Sequence, residues 1–320
     1  MMQEYRIIKD YFSKLSLDNK NSLYLNDDVF FDKSNKLIIS VDSYIEKTHF
    51  LNFKYPNLVI KKIIRSSISD LICKGVKPKY YFISGSGNSK TFTKSNLKKI
   101  SKSLEQEQKK FQIHLSGGDT IFSNKLSFTI ITVGYSKNII FRNNAKLNDD
   151  IYVTGNLGDS YMGLRILKKE ISVNKYFKKY FLKKYYLPEL YENLTNRLFK
   201  FANTSIDISD GLFSDLDKLI NNQNLSYQIN LTDVPISKHL RDLILLKKLK
   251  KIDFISKGDD YQILFTASKK KSRIVEKTFK TLGIKISKIG KICPGTQKTQ
   301  IIDEKGNKIG IKNKGYFHKF

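Results

Sequence analysis

The sequence predicts a two-domain α/β (α+β) protein, and three observations carry that expectation. Strand-like apolar runs alternate with helical stretches through both halves of the chain. A polar segment, FRNNAKLNDD at 141–150, interrupts the pattern near the middle. The chain has 320 residues and is 40% hydrophobic, enough to bury a sizeable core.

The elements follow in order. Tyr5, Ile8, Phe12 and Leu15 recur at helical spacing across 4–15. KLIISV, at 36–41, reads as a buried strand ending at Asp42. A strong helix is expected over 57–74, with Leu58, Ile60, Ile63, Ile64, Ile68, Leu71 and Ile72 on its apolar side and Gly75 and Pro78 stopping it. Residues 79–84 read as a strand and 94–110 as a mostly polar helix. A short strand at 111–115 closes on the turn Ser116-Gly117-Gly118-Asp119, and KLSFTIITVGY, at 125–135, is a long β run. The polar stretch then divides the chain into domains at 1–140 and 147–320. A strand at 150–154 runs through Gly155-Asn156-Leu157-Gly158 into a helix from about 159, and the lysine-rich 170–200 is helical. Residues 204–208 form a strand feeding a helix at 211–220, and strands follow at 226–231, 261–267 and 284–292.

Composition removes several classes. No run of eighteen apolar residues occurs, so no membrane span is expected. The N-terminal MMQEYRIIKDYFSKL lacks the unbroken apolar stretch of a secretory signal. Cys73 and Cys293 are the only cysteines and no CxxC exists, which argues against a disulfide framework or zinc site and fits a reducing cytosol. The formal net charge is +28, from 58 Lys plus Arg against 30 Asp plus Glu. That excess suits a polyanion binder. The lysines, however, are scattered as KK pairs rather than gathered in one stripe, and the wealth of Lys, Asn, Ile, Phe and Tyr without Trp suits an AT-rich genome. The expectation is therefore no specific nucleic-acid partner, with a positive background that helps attract an anionic nucleotide.

The carboxylates are placed informatively. Asp27-Asp28 precede VFF, Asp42 ends KLIISV, Asp119 ends IHLSGG, Asp207 and Asp210 close SIDISD, and Asp259-Asp260 precede YQILF. Strand ends are where open sheets build sites, because loops converge there. Asp70 sits mid-helix, one turn after Ser66, where a carboxylate is costly unless something pairs with it. Oxygen donors with few His or Cys suit a hard cation, and Mg²⁺ commonly bridges carboxylates to substrate phosphates. Each Asp alone is also readable as a cap or turn residue; Ser209-Asp210-Gly211 is a good helix start, and Asp159 opens another. The turns at Gly117-Gly118 and GNLGDS allow close approach to phosphate, yet neither is a Walker A or GxGxxG. The chemistry expected is Mg²⁺- and ATP-dependent phosphoryl transfer.

The ordered segments NDDVFF, SVDSYIEKTHF, SISDLICKGVKP, SGGDT, RNNAKLNDDIYVTGNLGDS, IDISDGLFSDL, KGDDYQILF and GYFHKF resemble the thiamine-monophosphate kinase family, in the superfamily of aminoimidazole ribonucleotide synthetase and selenophosphate synthetase. The resemblance spans the chain from about residue 4 to its end. It implies that superfamily's two-domain ATP-binding fold, with an N-terminal domain that dimerises through its sheet and a cytoplasmic homodimer converting thiamine monophosphate to thiamine diphosphate with ATP. It also implies several Mg²⁺ ions at Asp28, Ser40, Val41, Asp42, Asp70, Asp119, Asp207 and Asp210, of which Asp42, Asp70, Asp119 and Asp207 are the catalytic set. Val41 stands where the family usually has Thr, a change that is tolerable if the ligand there is a backbone carbonyl. Gly117, Gly118, Arg142 and Ser209 fall at nucleotide-contacting positions, and His49, Asp259 and Tyr316 at positions that contact the thiamine compound. Departures are Asn26 for the glycine of GDD, Ile121-Phe122-Ser123 where an arginine is usual, and Asp259 where Glu is usual.

A phosphate monoester acceptor is already anionic near neutral pH, its second pKa being about 6. No general base is then required, which agrees with the lack of a clear His–carboxylate pair. Rival readings are a superfamily enzyme acting on a ribonucleotide, a basic nucleic-acid-binding protein, and an ATP-binding regulatory homologue. Selenide chemistry would call for an N-terminal Cys or selenocysteine, which the chain lacks.

Overall fold

The structure, a computed structural model, describes residues 4–311, 314–316 and 318. The side chains of Glu4 and Tyr5, and Phe317, Lys319 and Phe320 of the closing segment, lie outside the described residues. Two sheets organise the chain. The first has five strands, β1 (Phe30–Asp32), β2 (Leu37–Ile45), β3 (Pro78–Gly87), β4 (His114–Phe122) and β5 (Ser127–Tyr135), in the order β1-β2-β5-β3-β4. All pairs are antiparallel except β3 with β4. That parallel pair needs a crossover, which a helix, Lys94–Phe111, supplies.

The second sheet has seven strands: β6 (Asp150–Thr154), β7 (Ala202–Asp207), β8 (Leu225–Asn230), β9 (Ile263–Ala267), β10 (Ile286–Pro294), β11 (Gln300–Ile302) and β12 (Lys308–Ile309). Their order is β12-β11-β8-β10-β6-β9-β7. The helices are α1 (Glu4–Ile7), α2 (Pro56–Cys73), α3 (Lys94–Phe111), α4 (Asp159–Leu167), α5 (Lys175–Tyr186), α6 (Thr195–Leu198), α7 (Leu212–Leu219), α8 (Lys238–Leu246), α9 (Ile252–Ile255) and α10 (Ser272–Leu282).

Helix α2 is the centre of the molecule. Pro56 presets its first turn. Val59, Ile60, Ile63, Ile64, Ile68, Leu71 and Ile72 are each at most 1% exposed. An apolar side chain buried so fully contributes about 1.5–3 kcal/mol relative to an exposed one. One core cluster runs from Phe128 and Ile130 of β5, through α2, to Phe265 of β9 and Phe279 of α10. A second lies on the other face of the seven-stranded sheet, where Met162, Leu212, Leu216 and Leu240 of α4, α7 and α8 meet Ile151, Val153 and Leu264. Because both faces of β6 and β9 are covered, all five residues of each are buried, and the strands read as unbroken apolar runs.

Three expectations change. The N-terminal stretch winds as α1, a π turn and a 3₁₀ turn, and it leaves Phe12 and Leu15 exposed rather than packed. The lysine-rich 170–200 breaks after Tyr186 into the 3₁₀ turn Glu192–Leu194 and the short α6. Strands β2 and β4 also run past their expected ends. Asp42 therefore lies inside β2 opposite Ile130, and Ser116–Asp119 is strand rather than turn.

Gly118 shows what holds β4 in place. A Cβ there would stand 1.8 Å from the Ile83 carbonyl oxygen, so the close approach of β4 to β3 requires glycine. Gly118→Ala should force the strands apart and lower the denaturant-measured stability by about 1–3 kcal/mol. Gly85→Ala, whose Cβ would make only ordinary contacts at 3.4 Å, should cost less. Equal midpoints for the two variants would remove this account of the edge strand.

Candidate active site

A polar stripe runs along α2 through its apolar surface: Lys62, Ser66, Ser69, Asp70 and Lys74, with Ser67 beside it. Residues three and four apart share a helix face, so the stripe reaches several elements in turn. Ser69 Oγ donates to Asp207 at the end of β7. Ser40 Oγ, on β2, donates to Asp70 Oδ2 at 2.6 Å. The Ser67 and Tyr44 hydroxyls share a hydrogen bond of 2.9 Å beside the Asp42 carboxylate, whose charged form they favour. Alternation along β2 points Ser40, Asp42 and Tyr44 at α2.

Asp42, Asp70 and Asp207 thus form one electrostatic group. Burial pushes Asp42 up to about 6. Burial, then repulsion from Asp215 and Asp42, lifts Asp207 to about 6 as well. Asp70 is raised well above the carboxylate range by burial and then by the charges of Asp42 and Asp207. Crowded, recessed carboxylates of this kind lack a cation. Among the described residues, no three His, Cys, Asp or Glu side chains form a ready metal shell. The donors are oxygens throughout. They fit a hard cation that takes one or two protein ligands and completes its shell with water or phosphate oxygens, as Mg²⁺ does.

Protein cations hold the flanking carboxylates. Lys74, wholly buried, lies 2.7 Å from Asp27 and 3.2 Å from Asp28, and donates to the Ser205 carbonyl at 3.0 Å. Burial pulls its ammonium down most strongly of any one cause, but Asp27, Cys73 and Asp70 together outweigh that and hold it above its usual value. Arg142 Nε donates to Asp28 at 2.9 Å, and its backbone N–H donates to Asp27. The expected metal ligand Asp28 and the expected nucleotide contact Arg142 are therefore bound to each other, because a recessed carboxylate needs a cation beside it. Asp210 is likewise paired with Lys218 at 2.5 Å. Asp215, fully buried and raised to about 6 by burial, accepts the N–H groups of Asp210 and Gly211 at the start of α7.

The residues expected to contact substrate come together beside this group. His49 Nδ1 accepts from the Ile45 N–H at 2.9 Å, and the ring packs 5.8 Å from Tyr44 and 5.4 Å from His318. Burial, then the neighbouring His318, lowers its pKa. Tyr316 meets the other side of His318 at 5.0 Å. Its backbone N–H donates to Asp210, and Ser214 donates to Lys314, so the C-terminal segment lies along the start of α7. Asp259 donates its N–H to the Ser209 carbonyl, which leaves no room for a side chain at Gly258: a Cβ there would stand 1.6 Å from that oxygen.

Asp119, Gly117, Gly118 and Val41 are not gathered with the others. Asp119 lies on the exposed edge strand β4, in register with Ser84, Thr129 and Ser43 on the sheet face turned away from α2. Val41 is on that face too, 62% exposed. The glycines sit in mid-strand, so the phosphate-cradling turn expected there is replaced by β pairing. Lys62, Lys74, Asp215, Lys218, Tyr261 and His318 are given no role by the sequence alone. Lys62 and Lys74 had a signal, since each interrupts an apolar helix as Asp70 does.

Residues 25–136 match the family described as AIR synthase related protein, N-terminal domain. The thiamine-monophosphate kinase of Buchnera aphidicola subsp. Acyrthosiphon pisum is 35% identical over 98% of both chains. That of Haemophilus influenzae is 32% identical over 91% of this chain and 89% of its own. A solved structure, AaThiL complexed with AMPPCP and TMP, superposes with a TM-score of 0.84 at 25% identity, covering 99% of this chain and 97% of that one. The chain belongs to the thiamine-monophosphate kinase family.

A carboxyl whose folded pKa lies above its unfolded value favours folding while protonated, and that contribution is lost as pH rises through the folded pKa. For Asp42 the window is from about 4 to about 6. In chelator, Asp42→Asn should therefore melt above the wild type at pH 8, by on the order of 2 °C, with the gap closing toward pH 4. A variant that melts with or below the wild type at pH 8 would rule Asp42 out as a buried, cation-seeking charge.

Proposed function

We propose that this chain transfers the γ-phosphoryl group of ATP to the phosphate of thiamine monophosphate, giving thiamine diphosphate. The observation that carries the reading is the adjacency of two clusters: the carboxylates of Asp42, Asp70 and Asp207 around α2, and the aromatic rings of His49, His318 and Tyr316 with Asp259 beside them. The first suits crowded phosphates and the second a flat heterocycle. Asp42, Asp70 and Asp207, with Ser40, would hold Mg²⁺ by oxygen atoms. When bound, the ion supplies positive charge to the phosphate oxygens and orients them. Arg142 adds a fixed guanidinium at the Asp28 end of the site, and Lys218 an ammonium at the Asp210 end. Tyr316 and His318 pack against the heterocycle, and the C-terminal segment that carries them screens the reacting groups from water. The acceptor oxygen is already an anion, so no side chain needs to remove a proton, and transfer is direct and in line.

The same reading makes the chain a cytoplasmic homodimer. Val41, Ile45, Phe82, Ile121 and Tyr135 expose apolar surface on the sheet face away from α2, a surface suited to a second copy. Asp119 lies on that face. Cys73 and Cys293 are both free, in keeping with a reducing compartment. Phe82→Asp should turn a sedimenting dimer into a monomer, and a wild type that sediments as a monomer at micromolar concentration would end this part of the proposal.

With Mg²⁺ and labelled ATP, the purified protein should label thiamine monophosphate and leave free thiamine unlabelled. Chelator should abolish the reaction, and Asp207→Asn should lower kcat by about 10². Labelling of free thiamine without labelling of the monophosphate would refute the assignment.

A further inference from the structure

Lys62 is a wholly buried ammonium that the reaction as described does not use. It is 1% exposed, in the second turn of α2. Its Nζ lies 2.9 Å from Asp259 Oδ1, donates to the Tyr185 carbonyl at 3.3 Å, and sits 3.9 Å from the centre of the Tyr185 ring. Burying a lysine this completely is expensive unless its charge is matched, and burial does pull its pKa below the usual value, opposed by Asp259 and then Asp260. For a structural purpose alone, an apolar side chain among Tyr185, Ile63 and Val59 would serve better.

Asp259 shows what the ammonium does. Its φ is +69°, and that of Tyr261 is +51°, both in the left-handed region where a non-glycine residue is strained. Oδ1 receives both Lys62 and the Tyr261 hydroxyl, the latter at 3.0 Å. Oδ2 accepts no hydrogen bond from a described residue, and the side chain is 28% exposed. One oxygen is clamped from inside, and the other belongs to a side chain that is still partly open to solvent. Asp260, the next residue, points the opposite way and accepts from Gly158 and Ser160 at the start of α4. The loop is thus pinned on both sides, by Lys62 from the first sheet's helix and by α4 from the second half.

Resting on the reading of Asp259 as a substrate contact, we infer that Lys62 is a positioning residue: it clamps Asp259 Oδ1, holds the left-handed loop, and thereby aims Oδ2 at the acceptor substrate. The clamp has a consequence for specificity. The Lys62–Asp259 pair has no net charge, so Oδ2 acts as an oriented hydrogen-bond acceptor more than as an attractant for a cation. An acceptor substrate with an N–H donor on its heterocycle is favoured over one that offers positive charge alone.

The test compares Lys62→Met, Asp259→Asn and the double variant with the wild type, measuring kcat and the KM of each substrate. Lys62→Met should raise the KM for thiamine monophosphate about tenfold while kcat and the KM for ATP stay within about twofold, since only the aim of Asp259 is lost. The double variant should be no worse than the poorer single one, because both remove the same clamp. An unchanged KM in Lys62→Met, an equal loss for both substrates, or additive losses in the double variant would overturn the inference. Should Lys62→Met not fold, Lys62→Arg keeps the charge but moves Asp259. Its KM must then also rise for the acceptor alone, and an unchanged value overturns the inference equally. A wild type that does not turn over thiamine monophosphate would sink the proposed function instead, so the two failures are separate.

Discussion

Burying several carboxylates against one apolar helix is the constraint around which this molecule is arranged. Helix α2 is almost completely enclosed, yet its surface presents Asp70 to Ser40 and Ser69 to Asp207. Like charges in a low-dielectric setting repel strongly and shed their hydration. The protein relieves part of that cost with serine and tyrosine hydroxyls, and part with Lys74 and Arg142 next to Asp27 and Asp28. What is left over, in Asp42, Asp70 and Asp207, appears as raised pKa values. Stability is given up at three oxygen donors left without a full protein counter-charge, a trade common at active sites.

The same helix joins the two halves. Its outer side packs on the five-stranded sheet, and its stripe reaches Asp259, Asp207 and Ser205 in the second half. Arg65 strengthens the connection: its guanidinium binds Glu107 of α3 through two hydrogen bonds and also donates to the Pro188 carbonyl. Cleft residues drawn from both halves are therefore held by buried polar contacts rather than by loops alone. A small shift of one half against the other would disturb every one of those contacts, which favours a rigid cleft.

The aromatic residues beside the carboxylates come from distant parts of the chain. His49 follows β2, Tyr261 precedes β9, and Tyr316 and His318 belong to the C-terminal segment laid along α7. Tyr261 connects these rings to the carboxylates, since its hydroxyl meets Asp259 while Tyr44 and Asp207 act on it electrostatically. The aromatic cluster and the carboxylate group are thus physically continuous.

Local sequence was sufficient wherever a signal is short-range. The extent of α2 follows from its apolar period and from Gly75 and Pro78, and the buried runs of β6 and β9 from unbroken hydrophobicity. The oxygen-rich character of the site was legible too, because Asp residues recur beside apolar strands, and so was the demand that Asp70 find a partner. The identity of that partner was not, since Ser40 lies thirty residues away and only sheet-on-helix packing brings it near. Strand length was misjudged at Ser116–Asp119 because a glycine pair reads locally as a turn, whereas its lack of side chains is what lets β4 pair closely with β3. Side-chain alternation along that longer strand then turned Asp119 away from the cluster. Pairings such as Lys62 with Asp259 and Arg142 with Asp28 were decided only by tertiary structure, because a charge's partner is chosen by where burial leaves it without water, not by its neighbours in sequence.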